Sequence, residues 1–415
     1  MQKKSNVTVN VLWNTFGTIF YCVAQWLITV LVVRIDSYES SGQLSLAMTT
    51  SSTFAAISLF SMRSYQVSDV DEKFKTAYYL GSRVVTCILA FVLCTAYSLV
   101  SNFSIYQLGC ILFFMLVRLA ESAVDVLHGI NQKYERYDTI GKSFVLRGIV
   151  TVVLFSIVLY MSHDMLITLA IMALGNVLVA VFFDWKTTVS YERLEVILKD
   201  KQILQLLAIC APLAIASFFL SSENLIAKTM LQEIFGEEAL GIYSSIASPT
   251  LVVQVGASVI FNPFLPKFVR VYNDGEYDKF RKMFHKVIVL IFAMAIVITF
   301  GAAIVGKLGL SILFGASILE YYNLFMPIVW STISLAAVWV LQSIVIGIRR
   351  IYLMFAGIVA DAGICFVFCK WFLNQFGWNG ASYVQVVSLL LLVIYLIVIC
   401  ELDILNKMKH SNQSK

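Results

Sequence analysis

The chain has 415 residues, of which 60% are hydrophobic and 13% are charged. That charge fraction is about half the soluble average, and apolar runs of spanning length recur, which excludes a soluble enzyme or a disordered scaffold. The net charge of +5 does not mark a nucleic-acid binder, because the basic residues sit in short segments between apolar spans.

The first segment, "MQKKSNVTVNVLWN", places two lysines ahead of a long apolar run. The run exceeds a signal-peptide core and lacks a small-residue cleavage site, so it is expected to be a retained helix. Six spans are predicted in the first half, at about 8–33, 41–62, 76–100, 105–128, 143–161 and 164–184. Six more follow at about 204–231, 241–264, 285–306, 319–347, 351–373 and 379–402. Spans one, four, seven and ten are polar enough to be weak on hydropathy alone. The expected fold is an all-α polytopic membrane protein, about twelve helices in two six-helix bundles around a central cavity. The N-terminal bundle covers 1–184, a cytoplasmic linker 185–203, the C-terminal bundle 204–402 and a cytoplasmic tail 403–415.

Orientation follows from the basic residues. With both termini cytoplasmic, Arg34, Lys307 and Lys370 lie outside, and Arg83, Arg118, Arg147 and Lys228 lie within spans. All the other lysines and arginines fall on the cytoplasmic side, the bias expected of a multi-pass protein. The linker "WKTTVSYERLEVILKDKQI" is weakly amphipathic through Val189, Leu194, Val196, Ile197 and Leu198. A faint repeat aligns "GQLSLA" at Gly42 with "GIYSSI" at Gly241, two glycines suited to turning a loop into a helix. Two parallel six-span halves are a common transporter plan.

Polar residues follow helical spacing in both halves. Span one carries Asn10, Asn14, Gly17, Tyr21 and Gln25 on one face, and span seven carries Ser217, Ser221, Asn224 and Lys228. Span eight adds Gln254, Ser258 and Asn262. Such stripes serve either helix-to-helix hydrogen bonding or a hydrated cavity wall. All five prolines, Pro212, Pro249, Pro263, Pro266 and Pro327, lie in the second half. Those in spans seven and eight are expected to favour bending there.

Span four is the most charged. Its Arg118, Glu121, Asp125 and His128 fall within about 80° of one another on a helix. Three readings stay open: an ion-pair ladder or gate, with Arg83 and Arg147 as further partners; an anion site built on Arg118; and a proton or cation relay through Glu121 or Asp125. Asp361 in span eleven is a second deep carboxylate. Glu223 and Lys228 in span seven point about 140° apart and are not expected to pair. The eight cysteines all lie in apolar segments. Cys365 and Cys369 share a helix face without a second ligand pair, so packing is expected and no metal. The four histidines form no motif, and no catalytic residue is assigned.

The stretch "VRLAESAVDVLHGINQKYERYDTIGKSFVLRGI" (117–149) resembles the fourth-span signature of bacterial polysaccharide flippases in the multidrug/oligosaccharidyl-lipid/polysaccharide exporter superfamily. "SLAMTTSSTFAAISLFSMRSYQVSDV" (45–70) is similar to their second span, and "SSENLIAKTMLQEIFGEEALGIYSSIASPT" (221–250) to their seventh and eighth. The resemblance implies alternating-access transfer of undecaprenyl-diphosphate-linked oligosaccharide across the bacterial inner membrane, for O-antigen or capsule. It implies a cavity site in which cationic groups hold the diphosphate. The candidates are Arg118, Lys228, Arg34, Arg63 and Arg83, with Asn14, Gln25, Asn224 and Gln254 as polar lining.

Glu121, Asp125, Glu223 and Asp361 are candidates for gating or ion coupling, with a proton or sodium gradient left open and no other cofactor. Implied partners are membrane lipid, a polysaccharide polymerase and a chain-length regulator, and no nucleic acid. Where many relatives carry an Asp-Arg pair in the seventh span, this chain has Glu223 and, further on, Lys228. The rival readings are a drug or organic-cation exporter of the same superfamily and, further off, a membrane-embedded polysaccharide-synthesis enzyme. A polymerase would be expected to carry a large outer loop, which the span pattern lacks.

Overall fold

The computed structural model describes residues 7–69, 73–101, 103–253, 256, 261 and 264–413. Among these residues the structure is helical without a strand. The chain divides into two compact units, Met1–Ser221 and Ser222–Lys415. Each unit is built from long apolar helices. Backbone groups in lipid must be satisfied within their own segment, and helices achieve this.

Unit 1 contains α1 (Val7–Ile35), α2 (Tyr38–Leu59), α3 (Met62–Ser68), α4 (Thr76–Val100), α5 (Ile105–Lys133) and α6 (Tyr137–Ser162). α7 (Met165–Val179) continues through a π-helical stretch, Ala180–Trp185, into α8 (Lys186–Val189). Side-chain caps set several helix starts. Ser37 accepts from the Ser40 amide at 3.2 Å, Ser104 and Gln107 form a capping box, and Asp164 accepts from the Ile167 amide at 3.0 Å. α1 and α6 touch through their backbones. A Cβ on Gly17 would lie 2.2 Å from the Gly141 carbonyl oxygen, and one on Gly141 would lie 2.1 Å from that of Trp13. Small residues at membrane helix contacts allow this approach.

α9 (Lys201–Phe235) begins in unit 1 and ends in unit 2. The parting therefore falls inside a helix, at Ser221–Ser222, and not in the 185–203 segment expected as a linker. The cause is packing. Leu206 and Cys210 of α9 join Met62, Phe74, Tyr79 and Leu127 in one apolar cluster. The linker itself is tied down: the Ile197 carbonyl sits where a Cβ on Gly81 would be, and the Tyr191 hydroxyl donates to Asn131.

Unit 2 continues with α10 (Glu237–Ala247), α11 (Leu265–Asn273), α12 (Tyr277–Phe314), α13 (Phe325–Gly347), α14 (Ile351–Phe376) and α15 (Asn379–Gln413). A short 3-10 turn, Ser248–Thr250, follows α10, and another, Ala316–Leu324, precedes α13. Pro249 lies in the first of these turns, Pro266 in the first turn of α11 and Pro327 in the first turn of α13. Proline is tolerated at helix starts because the missing N–H is unpaired there anyway. Pro212 alone of these lies inside a described helix, and Pro263 lies outside the described residues. The two repeat glycines do not turn loops. Gly42 and Gly241 are buried within α2 and α10. Ser37 starts α2, and Gly236, at φ +90°, starts α10.

Ten helices are long and apolar enough to cross a membrane by length and composition. They include predicted spans one, seven and ten, which looked weak from sequence. α5 is 29 residues long but carries the charged face, and the predicted eighth span runs into largely undescribed residues. The protein is an all-α polytopic membrane protein with about twelve transmembrane helices.

Candidate functional site

α5 organises the polar interior of unit 1. Its amphipathic register turns Arg118, Glu121, Asp125 and His128 inward, but they do not form the single ladder that their spacing permits. Arg118 Nη1 donates to Glu121 Oε2 at 2.6 Å. The Tyr21 hydroxyl of α1 donates to Glu121 Oε1, and Gln25 Nε2 donates to Tyr21 at 2.9 Å. Arg118 also lies over the Phe114 ring, 5.1 Å from its centroid. The Nε of Arg118 has no partner among the described residues.

Asp125 pairs away from Arg118. It accepts from Arg83 of α4 at 2.9 Å and from Arg63 of α3 at 3.5 Å, and Arg63 also reaches Gln132 at 3.3 Å. Arg83 further donates to the Ser58 carbonyl, where Thr86 also donates at 2.9 Å. That carbonyl is freed because α2 ends at Phe60 and Ser61, both left-handed at φ 51° and 49°. The broken helix end thus becomes an arginine anchor.

His128 is not a partner of Asp125. Its Nε2 lies 3.6 Å from Oδ1 of Asp184, whose Oδ2 accepts from Arg147 of α6 at 3.4 Å. Asp184 is fully buried in the π-helical stretch, and π-turns recur at functional positions. Asp184 was not singled out from sequence. The available signal was a lone carboxylate ending the apolar run "LVAVFFDW".

The other candidates in unit 1 are dispersed. Asn14 is half-buried on α1, and Arg34 is exposed in its last turn. Nearby, Asp36 accepts from Ser40 and from His163 Nδ1 at 3.0 Å. Burial pushes the Asp36 carboxyl up, but the bonds from Ser40 and His163 outweigh it and hold it below the usual range. Beyond α3, Asp69 accepts from the Phe74 and Lys73 amides at 3.0 and 2.9 Å and from Tyr79 at 2.9 Å. Burial again acts upward, and these bonds with Phe74 first, together with nearby Lys133, bring the net shift down.

In unit 2, Glu223 of α9 is 2% exposed and accepts from Ser388 of α15 at 3.2 Å. Asp361 of α14 is also 2% exposed. Lys228 is half-buried on α9. Asn224 is exposed, and Gln254 lies outside the described residues. No group of three or more His, Cys, Asp or Glu side chains able to hold a metal occurs among the described residues. All the described cysteines are free thiols.

In unit 1 the ion pairs thus set Arg63 and Arg83 against Asp125, Arg118 against Glu121 and Arg147 against Asp184. The fold carrying this polar interior is that of solved transporters. An inward-facing multidrug resistance MATE family transporter of the MOP superfamily matches 96% of this chain and 99% of its own, with a TM-score of 0.75 at 12% identity. The MATE transporter VcmN of Vibrio cholerae matches 96% of each chain, with a TM-score of 0.64 at 8% identity.

The sequence match is narrower and more specific. The model of the polysaccharide biosynthesis protein family matches residues 7–271, and the chain belongs to that family. It is 26% identical over 310 residues, 72% of this chain and 75% of its relative, to the capsular polysaccharide biosynthesis protein CapF of Staphylococcus aureus.

Proposed function

We propose that this protein is a flippase. It carries a polyprenyl-diphosphate-linked oligosaccharide repeat unit across a bacterial cytoplasmic membrane, for capsule or O-antigen assembly. The observation that carries this reading is the cluster of ion-paired arginines, Arg83, Arg118 and Arg147, in the polar interior of unit 1, with Arg63 beside Asp125. A diphosphate in a water-poor site needs charge-assisted donors, and arginine supplies them in a fixed planar fork. Arg118 is the principal phosphate ligand. Glu121, itself held by Tyr21, keeps the guanidinium oriented until substrate arrives. Arg83 and Arg63, tied to Asp125, form a second cationic position on the same helix face. Both termini are cytoplasmic, as the lysine and arginine bias supports. The polymerase and the chain-length regulator act on the product.

An organic-cation exporter would need an accessible acidic site. Glu223 and Asp361, the deep carboxyls of unit 2, are closed off at 2% exposure each, which favours an anionic substrate.

The test is genetic and chemical. Cells lacking the protein should accumulate lipid-linked repeat units on the cytoplasmic leaflet and lose surface polysaccharide. Arg118→Ala should lower translocation about ten- to a hundredfold at normal protein level, the worth of one or two charge-assisted bonds. Unchanged surface polysaccharide in the deletion strain would sink the flippase reading. Normal translocation by Arg118→Ala would remove Arg118 from it.

A further inference from the structure

One end of unit 2 gathers aromatic rings from three separate connections. Phe235 is the last residue of α9, Tyr321 lies in the 3-10 turn between α12 and α13, and Trp378 lies between α14 and α15. The Tyr321 and Trp378 rings are stacked, with centroids 5.2 Å apart and planes 9° from parallel. Phe235 meets Trp378 at 6.4 Å and 64°, edge to face. The opposite end of the unit carries Lys267, Arg270, Lys279, Lys282, Arg350 and Lys407, so the aromatic end is the outer one by the distribution of basic residues.

The backbone builds this cluster in. Gly236 follows Phe235 at φ +90°, and Gly377 precedes Trp378 at φ +58°. Both rings therefore stand at chain reversals that glycine makes without strain. Tyr321 interrupts its helical turn at φ −102° and ψ 16°, in the sparsely populated bridge region. A Cβ on Gly380 would lie 2.3 Å from the Phe372 carbonyl oxygen, so α14 and α15 are in backbone contact beside Trp378.

Membrane proteins carry aromatic belts at their interfaces. Trp371 and Phe376, at 53% and 48% exposure, have that character. Trp378 differs, because it is half-buried between rings from two other connections. The polar groups around the rings are amides. The stretch "WFLNQFGWNG" (371–380) sets Asn374, Gln375 and Asn379 among its aromatic residues. Asn379 Oδ1, next to Trp378, and Gln232 Oε1, one turn before Phe235, are shielded from solvent and have no hydrogen-bond partner among the described residues. A buried acceptor left unmet is costly, and a ligand hydroxyl removes that cost.

A ligand suited to this place has a flat apolar face for the rings and hydroxyls at its edge for the amides. A pyranose has both, with C–H bonds on its face and hydroxyls around its rim. An acyl chain would leave the amide oxygens unmet. We propose that Phe235, Tyr321 and Trp378, with Asn379 and Gln232, form a saccharide-binding platform on the outer face of unit 2. It takes a pyranose ring of an oligosaccharide against the aromatic rings. Its use, to hold the sugar chain on the side where the repeat unit is delivered, rests on the flippase reading above; saccharide binding itself does not.

Saturation-transfer NMR on the full-length protein in phospholipid nanodiscs, free of sugar-headed detergent, reads the platform directly. The probe is the oligosaccharide repeat unit released from the surface polysaccharide of the producing cells. Its ring C–H protons should receive magnetisation from the protein. Trp378→Ala and Tyr321→Leu should each weaken binding about tenfold, and Asn379→Ala about threefold. Trp378→Phe keeps a ring and should bind within about threefold of the wild type, and Trp371→Ala should bind as the wild type does. Elution profiles check that each variant folds, and Tyr321→Leu, in the turn, reads the same rings independently of Trp378. Brominated phospholipid in the nanodisc marks rings that face lipid: the quenchable emission should fall in Trp371→Phe and not in Trp378→Phe. Absence of transfer to the saccharide, wild-type affinity in both Trp378→Ala and Tyr321→Leu, or bromolipid quenching that disappears with Trp378 overturns the platform. If the deletion strain loses its surface polysaccharide but the protein binds no saccharide, the platform fails and the flippase reading stands. If the variants lose saccharide binding while the deletion strain keeps its polysaccharide, the flippase reading fails and the platform stands.

Discussion

Asp125→Asn tests how the arginines of unit 1 are held. The substitution keeps the size and an acceptor but removes the charge shared by Arg83 and Arg63. Arg83 is 3% exposed and Asp125 18% exposed, 2.9 Å apart. At an effective dielectric of 20, unit charges at that distance attract by about 6 kcal/mol, and breaking a buried pair costs about 3–5 kcal/mol in practice. Two features lower the figure: Asp125 is partly exposed, and the Ser58 carbonyl still accepts from Arg83. A loss of about 3 kcal/mol is therefore expected. For a unit of this size that corresponds to a fall of roughly 6–12 °C in Tm. Thermal unfolding of the detergent-solubilised protein, followed by thiol-reactive fluorescence, measures it. Adding Arg83→Met should recover part of the loss, because the uncompensated charge goes with it. If Asp125→Asn melts with the wild type, Asp125 does not neutralise Arg83, and the pairing used for the second cationic position is wrong.

Two further outcomes are expected. Gly141→Ala places a Cβ 2.1 Å from the Trp13 carbonyl oxygen, so α1 must move from α6 by about 1 Å, at a cost of about 1–3 kcal/mol. Because α1 carries Tyr21, the variant should also weaken translocation, and wild-type stability and transport together would refute the close contact. The Asp69 carboxyl is held below its ordinary range, so its contribution is full above the unfolded aspartate value of about 4. It is lost as pH falls through the lower folded value. The Tm gap between wild type and Asp69→Asn should therefore shrink as pH is lowered from 7 toward 3, and a gap independent of pH would contradict it.

The sequence by itself determined the membrane class, nearly all the spans and the inward face of α5. Those properties depend on hydropathy and helical periodicity, which are local. Tertiary structure decided which charges meet. Tyr21 reaches Glu121 across 100 residues, and Ser388 reaches Glu223 across 165. Helical spacing alone allowed Asp125 to pair with Arg118 or His128, and neighbouring helices drew it to Arg83 and Arg63 instead. The lone Asp184 acquired meaning only when Arg147 and His128 were packed against it. Periodicity states which way a side chain faces. What it faces is set by the rotation and depth of the neighbouring helices, and these are fixed by contacts far apart in the chain, such as Gly17 against Gly141.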